Sequence, residues 1–174
     1  MKLIFLDIDG VLNSWEERRN DHFLPDCVAR LNQIVFATGA EVVLSSSWRN
    51  LVHEGHMSLF GFDLLLRTHG FRGKLVGITR QEPEDEREDR FWQIADYVRE
   101  LEGLESYCIL DDDPRAFGGR PGVQTDGNGL SDSDVLLAIS ILGRKAPVQP
   151  DSFVEHLADV LPDTQASELG PLAE

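Results

Sequence analysis

The sequence predicts an α/β domain built on a doubly wound parallel sheet. Two observations lead there. Short apolar runs of strand length alternate with segments of helical periodicity over most of the 174 residues, the pattern of strands joined by helical crossovers. Three of those runs also stop abruptly at carboxylates or hydroxyls, and ligands of open α/β sheets sit outside the carboxyl ends of the strands.

The elements follow in order. Lys2 to Leu6 is an uninterrupted apolar strand after its first residue. A polar loop, Ser14 to His22, carries Trp15, Arg18 and Arg19. Pro25 and Asp26 open a helix with Val28, Leu31, Ile34 and Val35 at helical spacing, and Gly39 ends it. Glu41 to Leu44 is the second strand. Arg49 to about Leu66 reads as a helix interrupted at Gly55 and Gly61, and Gly70 to Ile78 as a loop with a short extended piece. The charge run from Glu82 to Asp89 suits a solvated helix start, where acidic side chains oppose the macrodipole. The helix it leads into places Phe91, Ile94, Ala95 and Val98 on one face. Tyr107 to Leu110 is a strand, Gly122 to Thr125 a short one, and Ser131 caps a helix through Leu142. The domain is expected over residues 1–145, with 146–174 an acidic extension, partly helical or loosely ordered.

The first strand runs into Asp7-Ile8-Asp9-Gly10. Side chains two apart share a strand face, and two carboxylates around one point need a cation or a proton to coexist. A buried strand followed by an ordinary Asp-Gly turn would leave the same trace. The other strand ends add weight. Val42-Val43-Leu44 runs into Ser45-Ser46-Ser47-Trp48-Arg49, and Ile109-Leu110 into Asp111-Asp112-Asp113. An Asp-x-Asp, a run of hydroxyls and an Asp cluster, each at a strand end, describe a site for phosphate and Mg²⁺.

These segments resemble the motifs of the haloacid dehalogenase-like (HAD) phosphohydrolases: Asp7-Ile8-Asp9-Gly10 the first, Val42-Val43-Leu44-Ser45 the second, Ile109-Leu110-Asp111-Asp112 the fourth. The stretch from Phe5 to Asn13, the Ser-Ser-x-Trp-Arg-like segment and the late Gly129-Leu130-Ser131 are similar to the HAD domains of "Swiss Army Knife" RNA repair proteins. The resemblance covers about residues 1 to 143. It implies a Rossmann-like core with a minimal cap or none, and a phosphatase that forms an aspartyl phosphate. Asp7 would be the nucleophile and Asp9 the general acid and base. Mg²⁺ would be bound by Asp7, the Asp9 main-chain carbonyl and Asp111 or Asp112. Ser45 or Ser46 would hold the phosphoryl group, with Arg90, Lys74 or Arg80 as the nearby cation. Val11 stands where many HAD phosphatases carry a threonine whose hydroxyl is mainly structural.

Trp48 and Arg49 lend themselves to stacking on a base and holding a distal phosphate, or to core packing and an ordinary ion pair. His53 and His56 read as surface residues, and Asp126 to Asp134 as a turn and helix cap that lacks the glycine and glutamate of a Ca²⁺ loop. Cys27 and Cys108 read as buried reduced thiols without zinc-site spacing. The net charge of -15 argues against long non-specific contact with nucleic acid, which needs a basic surface. It is compatible with a phosphorylated small molecule or a nucleic-acid end gripped locally. No run is long enough to cross a membrane, and a cytoplasmic location is expected. A silent module that binds a phosphorylated partner is the alternative to an enzyme.

Overall fold

The computed structural model describes residues 1–16, 23–80 and 90–144. The charge run at 82–89, most of the polar loop and the extension after residue 145 lie outside them.

Five parallel strands form one sheet: β1 (Lys2–Leu6), β2 (Glu41–Leu44), β3 (Leu75–Ile78), β4 (Ser106–Asp111) and β5 (Gly122–Gln124). Their order is β3-β2-β1-β4-β5, with all four pairings parallel. The central strands are apolar on both faces because both are covered. Ile4 and Leu6 of β1, Val42 and Leu44 of β2, and Cys108 and Leu110 of β4 face one core. Leu3 and Phe5, Val43, and Tyr107 and Ile109 face the other.

Three helices supply the first core: α1 (Pro25–Thr38), α3 (Leu59–Thr68) and α5 (Asp132–Leu142), through Leu31, Phe62 and Val135 among others. Helix α4 (Arg90–Arg99) supplies the second through Ile94, with Tyr97 and Val98 packed beside it. The sheet is therefore doubly wound. The chain turns back on itself at β1: β2 and β3 extend one way, then α4 carries it to β4 on the other side. The carboxyl ends of β1 and β4 meet at this switch point, where such sheets bind ligands.

Local chemistry explains the boundaries. Pro25 occupies the first turn of α1, and Gly39 closes it at φ 69°. Ser131 and Asp134 form a reciprocal capping box on α5. Cys27 and Cys108 are free buried thiols, the latter pushed up by burial to about 12.

One expectation needs correction. The expected helix from Arg49 is a 3-10 turn, Ser47–Arg49, then the short helix α2 (Asn50–His53). A break follows before α3, which Ser58 caps with its hydroxyl. Gly55 lies in the break at φ 76°, whereas Gly61 lies within α3. The short extended piece expected within 70–78 is the edge strand β3.

Candidate active site

The last rungs of the sheet place the site. The Asp7 amide donates to Leu110 O at 2.9 Å, and the Ser45 amide to Leu6 O at 2.8 Å. Asp7, Ser45 and Asp111 are thus held just where three adjacent strands end. Beyond Asp7 the chain curls, with the amides of Val11, Leu12 and Asn13 converging on Ile8 O. Gly10 takes φ 77° in this curl, and a Cβ there would lie 2.5 Å from Asp112 Oδ2. Backbone conformation and close approach both require glycine. Val11 is fully buried in the core. The loop is stitched from the far end of the domain, where the Thr125 hydroxyl donates to Gly10 O at 2.8 Å and the Gly129 amide at 3.1 Å.

Asp7 is 4% exposed and Asp111 1%. Arg90, the first residue of α4, donates from one Nη to Asp7 Oδ2 at 2.7 Å and also to Asp111 Oδ2. Burial opposes the Arg90 charge, but the two carboxylates outweigh it and hold the guanidinium protonated. The other oxygen of Asp111 accepts the Asp113 amide at 2.9 Å, while Asp7 Oδ1 is buried without a partner. Asp113 caps the next turn and pairs with Arg115.

One oxygen from each of Asp7, Asp111 and Asp112 lies within 4.8 Å of the others, a group able to hold a metal ion. An all-carboxylate donor set suits a hard cation such as Mg²⁺. The unpartnered Asp7 oxygen and the crowding of charge agree with that fit. Burial pushes Asp7 up despite the Arg90 charge and the Ser46 hydroxyl. Burial, then the Asp7 charge, pushes Asp111 up to about 7.

This has a measurable consequence. Both carboxyls ionise more readily in the unfolded chain, near the ordinary aspartate value of 3.8. Between about pH 4 and 7 the unfolded chain therefore binds fewer protons at these positions, and their contribution to metal-free stability falls as pH rises. A divalent cation favours the ionised forms, so its stabilising effect grows over the same window. Thermal unfolding with and without Mg²⁺ should show a larger rise in Tm at pH 8 than at pH 5. Equal rises would contradict the assignment.

The remaining residues divide clearly. Ser45 is 1% exposed and its hydroxyl has no partner. Ser46 caps the 3-10 turn, accepting the Trp48 amide at 3.4 Å. Arg49 is 9% exposed, donates to Ser46 O at 2.8 Å and leaves its Nε unpartnered. Burial, then the Arg90 charge, lowers its pKa, while the Asp7 charge opposes them. The Trp48 ring is half-buried against Phe23 and Phe62, with centroids 5.6 and 6.3 Å away. Of the three candidate cations, Arg90 alone meets Asp7. Lys74 pairs with Glu41 at the opposite edge of the sheet, and Arg80 pairs with Glu100. His53 and His56 are exposed, outside any metal-holding group among the described residues.

Sequence reasoning overlooked two contributors. Asn13 donates to Asp9 Oδ1 at 2.8 Å, and the Trp15 indole donates to Asp112 Oδ2 at 2.6 Å. Asn13 stands four residues after Asp9, across the tight Gly10 turn, a spacing that could have exposed it. Trp15 and Asp112 are 97 positions apart, and no local pattern links them.

A parallel doubly wound sheet with three carboxylates, able to hold a cation, clustered at the ends of β1 and β4 is the arrangement expected of an HAD-like domain. Residues 3–135 match the family described as the HAD domain in Swiss Army Knife RNA repair proteins, and the chain belongs to that family. No curated protein matches the chain. Among the described residues, no helix is long and apolar enough to cross a membrane.

Proposed function

We propose that the protein is a Mg²⁺-dependent phosphomonoesterase that acts through a phosphorylated Asp7 on the terminal phosphates of nucleotides or polynucleotides. The observation that carries this is the Asp7 carboxylate. It is buried at a strand end, with one oxygen on Arg90, the other unpartnered, and Asp111 and Asp112 alongside.

Bound by Asp7, Asp111, Asp112 and the Asp9 main-chain carbonyl, Mg²⁺ would supply charge neutralisation at the phosphoryl group. The chain does the rest. The Asp7 carboxylate attacks phosphorus, and the bond from phosphorus to the leaving oxygen breaks as Asp9 gives that oxygen its proton. Asp9 then takes a proton from water. The water oxygen attacks phosphorus, and the bond from Asp7 to phosphorus breaks. Inorganic phosphate leaves, the Asp7 carboxylate is restored, and Asp9 is again protonated. Ser45 and Ser46 offer hydroxyls to the phosphoryl oxygens. Arg90 and the buried Arg49 offset the negative charge gathered there.

Two observations favour large substrates. The family's description places such domains in RNA repair proteins. Between β2 and β3 the chain forms only a 3-10 turn, α2 and α3, and α3 packs into the core rather than forming a cap. The test is phosphate release from 3′- and 5′-phosphorylated oligonucleotides, nucleotides, sugar phosphates and p-nitrophenyl phosphate, with Mg²⁺ or with EDTA. Release dependent on Mg²⁺, with kcat/KM higher for oligonucleotide ends than for sugar phosphates, is the expected result. No release from any of them would overturn the proposal, and equal kcat/KM would remove its nucleic-acid part.

A further inference from the structure

Both oxygens of the Asp9 carboxylate are engaged. Asn13 Nδ2 donates to Oδ1 at 2.8 Å, and the Trp48 indole Nε1 donates to Oδ2 at 3.1 Å. Each donor is itself fixed. Asn13 is fully buried, and its own Oδ1 accepts the Gly10 amide at 3.0 Å. The Trp48 ring is wedged against Phe23 and Phe62, and its main-chain amide is capped by Ser46. Asp9 itself is only partly buried and stands outside the carboxylate group able to hold a metal. Its carboxylate is therefore set by a two-sided clamp, one arm from its own loop and one from the loop after β2.

We propose that Trp48 is a positioning residue. Its indole N–H, opposite the Asn13 amide, fixes the plane and direction of the Asp9 carboxyl so that it can pass a proton to the leaving oxygen. The role rests on the phosphatase reading and is distinct from stacking on a substrate base. A carboxyl free to rotate about its χ angles spends little of its time aimed at that oxygen, and misplacement of about 1 Å can cost on the order of 100-fold in rate. The same clamp joins the loops after β1 and β2. The serine-rich segment that receives the phosphoryl group is thereby tied to the group that protonates its ester oxygen.

The consequence depends on the leaving group. An alkoxide leaves poorly unless it is protonated as the bond from phosphorus breaks, whereas p-nitrophenolate leaves readily without a proton. Trp48→Phe keeps an aromatic ring against Phe23 and Phe62 but removes the N–H. It should lower kcat for an alkyl phosphate at least about 10-fold more than kcat for p-nitrophenyl phosphate, with KM for either changing less than kcat. Asn13→Ala removes the other arm and should move the ratio of the two rates the same way. Phe62→Leu loosens the packing behind Trp48 while keeping its N–H. It should lower Tm and leave the ratio in place.

The outcomes separate cleanly. An active wild type whose Trp48→Phe and Asn13→Ala variants keep the wild-type ratio would overturn the positioning role and leave the phosphatase standing. A ratio that follows Tm across all three variants would also overturn it, because the effect would then be one of packing. A wild type inactive on both esters and on phosphorylated oligonucleotide ends, with Mg²⁺ present, would overturn the phosphatase reading and this inference with it.

Discussion

Asp7→Asn is expected to reduce phosphate release by on the order of 10⁴-fold or more, while leaving the protein folded. An amide is a poor nucleophile toward phosphorus and a weaker ligand for a hard cation, so the first step loses both attack and charge. The fold should not suffer. Burial raises the pKa of Asp7 and of Asp111, and the Asp7 charge adds to the rise at Asp111. Removing one carboxylate relieves that conflict. Metal-free Asp7→Asn protein at pH 8 should therefore match or exceed the wild type in Tm, the trade of stability against activity common at reactive sites. Mass spectrometry of the wild type, quenched during turnover, should show one added phosphoryl group that the variant lacks. A variant that kept the wild-type rate would rule out Asp7 as the nucleophile.

Arg90→Ala should produce the largest change in stability. The guanidinium bridges two carboxylates, with 22% of its side chain exposed against 5% and 1% for Asp7 and Asp111. Removing one partner from such an arrangement typically costs about 3–5 kcal/mol, because the remaining charges stay buried and unpaired. Here two like charges would remain, facing each other. The loss should be greatest in metal-free protein at pH 8. It should shrink at pH 5, where a proton can settle on the pair, and shrink at pH 8 when Mg²⁺ is added. Urea denaturation under those three conditions measures it. The same loss in all three would mean that Arg90 does not neutralise the pair.

The sequence reading succeeded where one segment carried the whole signal. β1, β2 and β4 are continuous apolar runs that end in carboxylates or hydroxyls, so both the strands and the polar residues at their ends were legible. β3 was legible only as a short extended piece. Its four residues, Leu-Val-Gly-Ile, are broken by Gly77, and only the fold gives that glycine a reason. A Cβ there would lie 2.4 Å from the Tyr97 hydroxyl of α4. Its pairing with β2 is also irregular at Val42/Val43. The break after α2 depends on Gly55 adopting a positive φ, and the sequence marked Gly61 equally. At the site, residue types near the strand ends were readable, whereas the orientation of each side chain was not. Trp48 is 39 positions from the carboxylate its indole meets. Nothing in the local pattern around Trp48 shows that its nitrogen, rather than its ring face, is turned toward the site.

The place of β1 in the sheet bears on how the protein is made. Of the five strands this one is synthesised first, yet it lies between β2 and β4 at the centre of the sheet. Its β4 partners begin at Ser106, and the hydroxyl and amide that hold Gly10 O belong to Thr125 and Gly129. At ordinary rates of synthesis, roughly ten seconds pass between the emergence of Asp7 and that of the residues that lock its loop. Through that interval the Asp-x-Asp segment remains in water, where its charges are well solvated. The nascent chain therefore has the residues of the candidate site long before it has the site, and a chain cut short before Thr125 would carry the motif without the geometry.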